Sequence, residues 1–310
     1  MPTKALVGYT GFVGSNIYAA GDFEAVYNSK NISEAYGTSP DLLVYSGLRA
    51  EKFLANNAPE KDMELIIEAE NNISRIAPKK LVLISTVDVF KNPVDVDENS
   101  EIDTEGLHAY GLDRYRLEQW VRENYKDALI IRLPGLFGKN LKKNFIFDMI
   151  NIIPSMLKAE KYRELSEADS LIAESYVSCD NGFYKLQVND KDRSELKKHF
   201  LDAGFSALNF TDSRSSFQFY PLTSLWKDIQ TAIKNDIRLW HPATEPVSAE
   251  ELYYAVMGGK FSNIVSQSPA KYDYKTVYSE LFGGKDGYIE SKESIIRQIK
   301  DFYDNAVQCD

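Results

Sequence analysis

The sequence predicts an α/β fold, a doubly wound parallel sheet followed by a smaller C-terminal part. Three observations predict it. A short apolar run, Lys4-Ala5-Leu6-Val7, leads directly into a glycine ladder and then into a helix-forming segment. Strand-like apolar runs alternate with helical patterns through the first half of the chain. That alternation ends near residue 150. Strand–helix alternation gives a parallel sheet covered on both faces, and strands buried on both faces read as continuous apolar runs.

Each element follows from the local pattern. Lys4–Val7 is the first strand. Gly8, Gly11 and Gly14 follow it at a G-x-x-G-x-x-G spacing, and residues 15–20 start a helix. Glycine at a strand end permits a tight turn and lets a ligand approach bare backbone. The N–H groups of the helix start favour a diphosphate. Strand, glycine turn and helix together form a dinucleotide-binding entry. Ala25–Tyr27 is the second strand and residues 41–45 the third, so the crossover between them is abbreviated. Residues 62–76 have a helical period that Pro78 stops. Residues 81–85 are the fourth strand, 110–124 a helix, and 128–131 the fifth strand.

After about residue 150 the pattern changes. Residues 155–210 are polar and weakly periodic, with one clear helix candidate at 194–203, and Asn181-Gly182 marks a turn. Apolar periodicity returns at Phe217, with helices expected at 225–233, from Ser248, and at 291–306. The expected organisation is a dinucleotide-binding domain over 1–154, to which 217–245 returns. Residues 155–216 and 246–310 form a substrate-binding or lid part.

Bulk properties narrow the function. The chain has 310 residues with a net charge of −10, from 46 acids and 36 bases. That balance speaks against a nucleic-acid binder. Any anionic ligand needs local donors such as a helix N-terminus. The two cysteines, Cys179 and Cys309, have no metal-ligand spacing, and His108, His199 and His241 form no metal motif. The given residues show no signal-peptide pattern and no apolar run of membrane-spanning length, so neither is expected. The expectation is a cytoplasmic protein with a small-molecule substrate and without a metal, and a homodimer is compatible with it.

A second constellation adds chemistry. The fourth strand runs into Ser85-Thr86-Val87-Asp88-Val89-Phe90. Tyr110 lies 24 residues after Thr86, and Arg114 follows Tyr110 by four. A tyrosine and a cation four apart share a helix face. The cation lowers the cost of ionising the phenol. A strand-end hydroxyl can share the same substrate oxygen, so a proton can move while a nicotinamide moves a hydride.

With these elements in order, the chain resembles the extended short-chain dehydrogenases/reductases, the NAD(P)-dependent epimerase/dehydratase family. Its T-G-x-x-G turn is Thr10-Gly11-Phe12-Val13-Gly14, preceded by Gly8. Its Y-x-x-x-K motif falls on Tyr110 to Arg114. Its R-x-x-x-x-[YF]-G motif is Arg132-Leu133-Pro134-Gly135-Leu136-Phe137-Gly138, and Pro246-Val247-Ser248 begins a late family helix. The short second crossover and the Ser-Thr-x-x-Val-Phe sequence look most like the dTDP-4-dehydrorhamnose reductase branch.

The resemblance implies a Rossmann fold and an NAD(P)-dependent oxidoreductase of reductase or epimerase type. The substrate is a carbohydrate-like hydroxyl or ketone, free or nucleotide-linked. Tyr110 becomes the general acid/base, Thr86 its hydrogen-bond partner, and Arg114 the holder of the nicotinamide ribose. Gly8, Thr10, Gly11, Phe12, Val13 and Gly14 line the pyrophosphate. Ser46 and Gly47 pass beside the adenosine side of the cofactor, and Leu133 and Pro134 border it.

Several residues depart from the family pattern. Arg114 replaces its lysine, and a planar guanidinium is not a compact ammonium. A cofactor-binding regulatory or scaffold protein without catalysis is therefore the rival reading. No acid follows the second strand, where Asn28-Ser29-Lys30 stands. Asn28 and Lys30 there favour NADP over NAD. Gly135 replaces an asparagine that many nucleotide-sugar enzymes use. Arg214 is displaced from its usual place before an aromatic strand, and either clamps an anion or is a surface residue. Val87-Asp88 after Thr86 disfavours dehydration, and Asp88 reads as a loop cap.

Overall fold

The computed structural model describes residues 3–179 and 182–308. Cys309 and the Asn181 half of the expected turn lie outside them. The chain forms two compact units. The first comprises residues 1–141, 216–247 and 271–298, and the second 142–215, 248–270 and 299–310.

The first unit is built on six parallel strands. In chain order it has β1 (Lys4–Val7), α1 (Phe12–Ala20), β2 (Ala25–Tyr27), β3 (Leu42–Tyr45), α2 (Lys52–Asn57), α3 (Pro59–Ile76), β4 (Leu81–Thr86), α4 (Ala109–Asn124) and β5 (Leu129–Leu133). A short strand, Leu239–Trp240, completes the sheet. The order is Leu239–Trp240, β5, β4, β3, β1, β2, all parallel. Strand order reverses beside β1, where open α/β sheets leave a crevice at their carboxyl ends. The expected α/β fold with a doubly wound parallel sheet is the observed one. The abbreviated crossover from β2 to β3 contains only a 3₁₀ turn, Ile32–Ala35.

Side-chain alternation explains the two covered faces. Val7, Leu43, Tyr45, Leu81 and Leu83 point to the face packed by Ile66 and Ile73 of α3 and by Leu117 and Val121 of α4. Leu6, Val44, Val82 and Ile131 point to the other, packed by Ile17 of α1 and by Leu225, Trp226 and Ile229 of the helix Leu225–Lys234. Each such fully buried side chain contributes about 1.5–3 kcal/mol.

Helix starts lie earlier than periodicity suggests. α1 begins at Phe12, with Gly11 as its N-cap. α3 begins at Pro59, because proline fits the first helical position and Glu60 and Asp62 suit the positive helix end.

The second unit has its own core. Its segment 156–202 forms a three-stranded antiparallel sheet of Met156–Lys158, Phe183–Leu186 and Tyr176–Ser178. Helices Ala159–Ala168, Ser170–Glu174 and Asp190–Asp202 accompany it. Leu157, Leu165, Ile172, Tyr176, Leu196 and Phe200 pack together there. The expected helix near 194–203 is present, but the weak periodicity elsewhere concealed a packed α/β module with strands of three and four residues. The helix Ala249–Met257 begins with a capping box between Ser248 and Glu251.

Candidate active site

The glycine turn follows β1. Gly8 has φ +91°, a left-handed conformation that glycine adopts without a steric cost, and its N–H donates to the Tyr27 carbonyl at 2.7 Å. A Cβ on Gly8 would lie 2.3 Å from the Ser46 carbonyl oxygen. One on Gly14 would lie 2.1 Å from the Gly8 carbonyl oxygen. These two positions let strand, turn and helix close on each other. Gly11 differs. It is exposed, its N–H closes the turn onto the Gly8 carbonyl at 2.9 Å, and it has no capping side chain. The first N–H groups of α1 therefore remain for an external acceptor. This bare-backbone cradle fits a dinucleotide pyrophosphate.

The neighbouring candidates surround this turn. Thr10 is exposed, while Phe12 and Val13 are half-buried against the sheet. Ser46 donates its N–H to the Val7 carbonyl at 2.9 Å, and Gly47 beside it is exposed. At the end of β2, the Asn28 Oδ1 accepts from the Lys30 N–H at 2.9 Å, which shapes the loop and leaves the Lys30 side chain exposed. Leu133 is buried at the end of β5, and Pro134 is half-buried.

The second cluster sits where β4 ends and α4 begins. Gly111 allows the approach, since a Cβ there would lie 2.1 Å from the Asp88 carbonyl oxygen. The Thr86 hydroxyl accepts from the Asp88 N–H at 3.2 Å and lies near the Tyr110 phenol, whose pKa it lowers. Tyr110 is buried and donates its backbone N–H to Asn56 Oδ1 at 3.1 Å. Burial pushes the Tyr110 phenol up to about 12. Arg114 and the Thr86 hydroxyl act in the opposite direction, and the carboxylates of Asp88 and Asp62 add to the rise.

Sequence reasoning missed the partners of Arg114. Its guanidinium lies 3.9 Å from the centre of the Tyr110 ring. Nη1 pairs with Asp62, in a very close contact, and reaches the Tyr110 carbonyl at 3.4 Å. Nη2 donates to the Arg49 carbonyl at 2.8 Å. Arg114 is 3% exposed and Asp62 4%. Asp113, also buried, has one carboxylate oxygen without a partner among the described residues, and burial and Asp62 raise its pKa. An acid at the fourth position of α3 is an ordinary helix-start signal, and no spacing rule links it to a residue 52 positions away.

The other singled-out residues find structural roles. His108 caps α4, its Nδ1 accepting from the Gly111 N–H at 3.0 Å. Among the described residues the Asp88 carboxylate caps no backbone N–H, in place of the expected loop cap. Its Oδ1 accepts from the Tyr272 hydroxyl at 2.9 Å and faces Lys52 Nζ at 3.0 Å. Behind Thr86, Ser85 donates to Glu118 Oε1 at 2.6 Å, and Arg132 grips the same carboxylate with Nε and Nη2. His241 completes this buried layer 3.4 Å from Arg132, and burial with the Arg132 charge lowers its pKa to about 3. The layer fixes β4, β5 and α4 together, which accounts for Arg132 in the sequence motif. Gly135 pairs with Phe219, and a Cβ there would lie 2.9 Å from the Gln218 carbonyl oxygen. In the second unit, Arg214 turns its fork onto Asp212 at 2.9 and 2.8 Å. His199 in that unit pairs with Asp169 at 2.6 Å.

Residues 7–160 match the family model described as the RmlD substrate binding domain. No curated protein matches the chain in sequence. Solved structures share its fold. A dTDP-4-dehydrorhamnose reductase from Bacillus anthracis, in complex with NADP, is 15% identical with a TM-score of 0.63, covering 98% of this chain and 99% of its own. A UDP-N-acetylglucosamine 4-epimerase from Methanobrevibacter ruminantium, in complex with UDP-N-acetylmuramic acid, is 13% identical with a TM-score of 0.63, covering 100% and 99%. The Bordetella bronchiseptica enzyme WbmG, in complex with NAD and UDP, is 13% identical with a TM-score of 0.62, covering 98% and 94%. The match over residues 7–160, together with structures of reductases and epimerases that share the fold, agrees with the expected resemblance to the extended short-chain dehydrogenases/reductases.

Proposed function

We propose that this protein is an NAD(P)-dependent oxidoreductase acting on a carbohydrate-like ketone or hydroxyl, nucleotide-linked by analogy with the structures named above, as a reductase or epimerase. One observation carries the reading. The glycine cradle after β1 and the Thr86–Tyr110 pair after β4 lie at the carboxyl ends of strands of one parallel sheet. The named structural relatives, bound to NADP, NAD, UDP or a UDP-sugar, support the substrate class.

When bound, the nicotinamide supplies or accepts the hydride. The α1 N-terminus and Gly11 hold the pyrophosphate, and Lys30 favours a 2′-phosphate and hence NADP. Thr86 orients the substrate oxygen. Tyr110, held neutral by burial, is poised to give its proton to a carbonyl oxygen as that carbon is reduced. Asp88 is committed to Lys52 and Tyr272, which supports reduction or epimerisation over dehydration. Residues 1–154 with 217–245 are assigned to the cofactor, and 155–216 with 246–310 to the substrate or a lid. Among the described residues no helix is long and apolar enough to cross a membrane.

The rival, a cofactor-binding protein without turnover, has one observation in its favour, namely the commitment of Arg114 to Asp62. The test is a panel of nucleotide-linked 4-keto and 4-hydroxy sugars, read by reduced-nicotinamide absorbance and by product stereochemistry. Turnover that Tyr110→Phe abolishes supports the oxidoreductase. Tight cofactor binding with no turnover across the panel supports the rival, and absence of cofactor binding overturns both.

A further inference from the structure

We propose that Lys52, on α2, is the cation that meets the nicotinamide ribose and the reacting phenol, taking the place of the residue at 114. The proposal rests on the oxidoreductase reading above. A cofactor-facing cation needs donors that can turn toward ligand hydroxyls. Arg114 has its donors turned into the protein, on Asp62, the Tyr110 carbonyl and the Arg49 carbonyl. Drawing it outward would strand Asp62, a buried carboxylate, without its counter-charge, and such an uncompensated charge is strongly unfavourable. Arg114 therefore acts on the face of the Tyr110 ring and holds α4 to α3.

Lys52 has the opposite properties. Its side chain is 43% exposed, and its ammonium lies 3.0 Å from Asp88 Oδ1. An ammonium carries three rotatable donors, so the contact with Asp88 leaves others for a ligand. Asp88 ties that ammonium to the reacting groups in three ways. Its N–H donates to the Thr86 hydroxyl, its carbonyl oxygen is the atom on which Gly111 of α4 rests, and its carboxylate holds the Tyr272 hydroxyl. Lys52 also lies close enough to the start of α4 for its charge to lower the pKa of His108, after burial, which lowers it most. The groups facing Tyr110 and this rim are thus Arg114 and Asp62 from beneath, Thr86 and Asp88 from the end of β4, with Lys52, His108 and Tyr272 beside them. Within that set Lys52 is a half-exposed cation on a flexible arm, joined through Asp88 to Thr86 at the end of β4. A plain surface ion pair with Asp88 predicts no effect on cofactor affinity, which makes the two readings separable.

The experiment is calorimetric titration of the intact protein and of Lys52→Met and Lys52→Arg. The ligands are the reduced cofactor that the wild type prefers and its nicotinamide-free fragment, ADP for NADH or 2′-phospho-ADP for NADPH. Loss of a charged hydrogen bond to the ribose weakens binding about tenfold or more. Lys52→Met is expected to lose that factor for the whole cofactor and to bind the fragment as the wild type does, while Lys52→Arg keeps most of the affinity. Unchanged affinity of Lys52→Met for the whole cofactor, or an equal loss for cofactor and fragment, overturns the proposal and leaves the cofactor reading standing. A wild-type protein that binds neither ligand overturns both.

Discussion

Replacing Arg114 by lysine restores the family's residue, and the structure says that it should weaken this protein. The guanidinium serves Asp62 through Nη1 and the Arg49 carbonyl, 2.8 Å away, through Nη2. A single ammonium on a shorter arm can keep one of these. A hydrogen bond from a charged donor contributes about 1.5–3 kcal/mol, and loss of the stacking on Tyr110 at 3.9 Å adds about 0.5–1 kcal/mol. The expected cost of Arg114→Lys is therefore about 2–4 kcal/mol. Arg114→Met, which leaves buried Asp62 unpaired, should cost about 3–5 kcal/mol, and Asp62→Leu with Arg114→Met should recover much of that, because both charges go. The assay is urea unfolding followed by tryptophan fluorescence. All three tryptophans, Trp120, Trp226 and Trp240, lie in the first unit, so the signal reports the unit that carries the pair. An Arg114→Lys protein as stable as the wild type, with tighter cofactor binding, would refute the reasoning. It would mean that the lysine swings out to the ribose and that Asp62 tolerates its absence.

Other expectations follow from the same geometry. Gly11→Val should fold and lose cofactor affinity in calorimetry, because the nearest atom to its Cβ is 3.3 Å away. Gly14→Ala should lower the unfolding midpoint itself, because its Cβ meets the Gly8 carbonyl oxygen at 2.1 Å. Tyr110→Phe should lower turnover by about 10²-fold with cofactor affinity retained, and full activity in steady-state assays would remove Tyr110 from the chemistry. His241 has a depressed folded pKa, near 3 against the ordinary 6.5. Its buried neutral form therefore stabilises fully above about pH 6.5. That contribution is lost as pH falls toward 3, at about 1.4 kcal/mol for each pH step of one. A His241→Gln protein should show a shallower fall in unfolding midpoint across that window, and an unchanged slope would count against a buried neutral imidazole.

The sequence by itself determined the sheet, the turn and the order of the site. Strands such as Leu42–Tyr45 and Leu81–Thr86 are buried on both faces, so a bare apolar run specifies them. The glycines at 8 and 14 are dictated by backbone contacts within a few residues or to the neighbouring strand, and a short motif records them. The pairing of Thr86 with Tyr110 was legible for the same reason, since it depends on adjacent elements, β4 and the α4 that follows it. The module at 156–202 was not legible, because its strands are too short for a period to emerge and its core is assembled from six separate segments. Nor was the fate of Arg114. Whether a cation faces a ligand or a buried carboxylate depends on which side chain the folded chain sets opposite it, and Asp62 comes from another helix, 52 residues away. Lys52 met Asp88 in the same way, through the packing of α2 beside the end of β4. Local sequence fixes which charges a chain carries, and only tertiary packing decides which are neutralised inside it and which are left for a ligand.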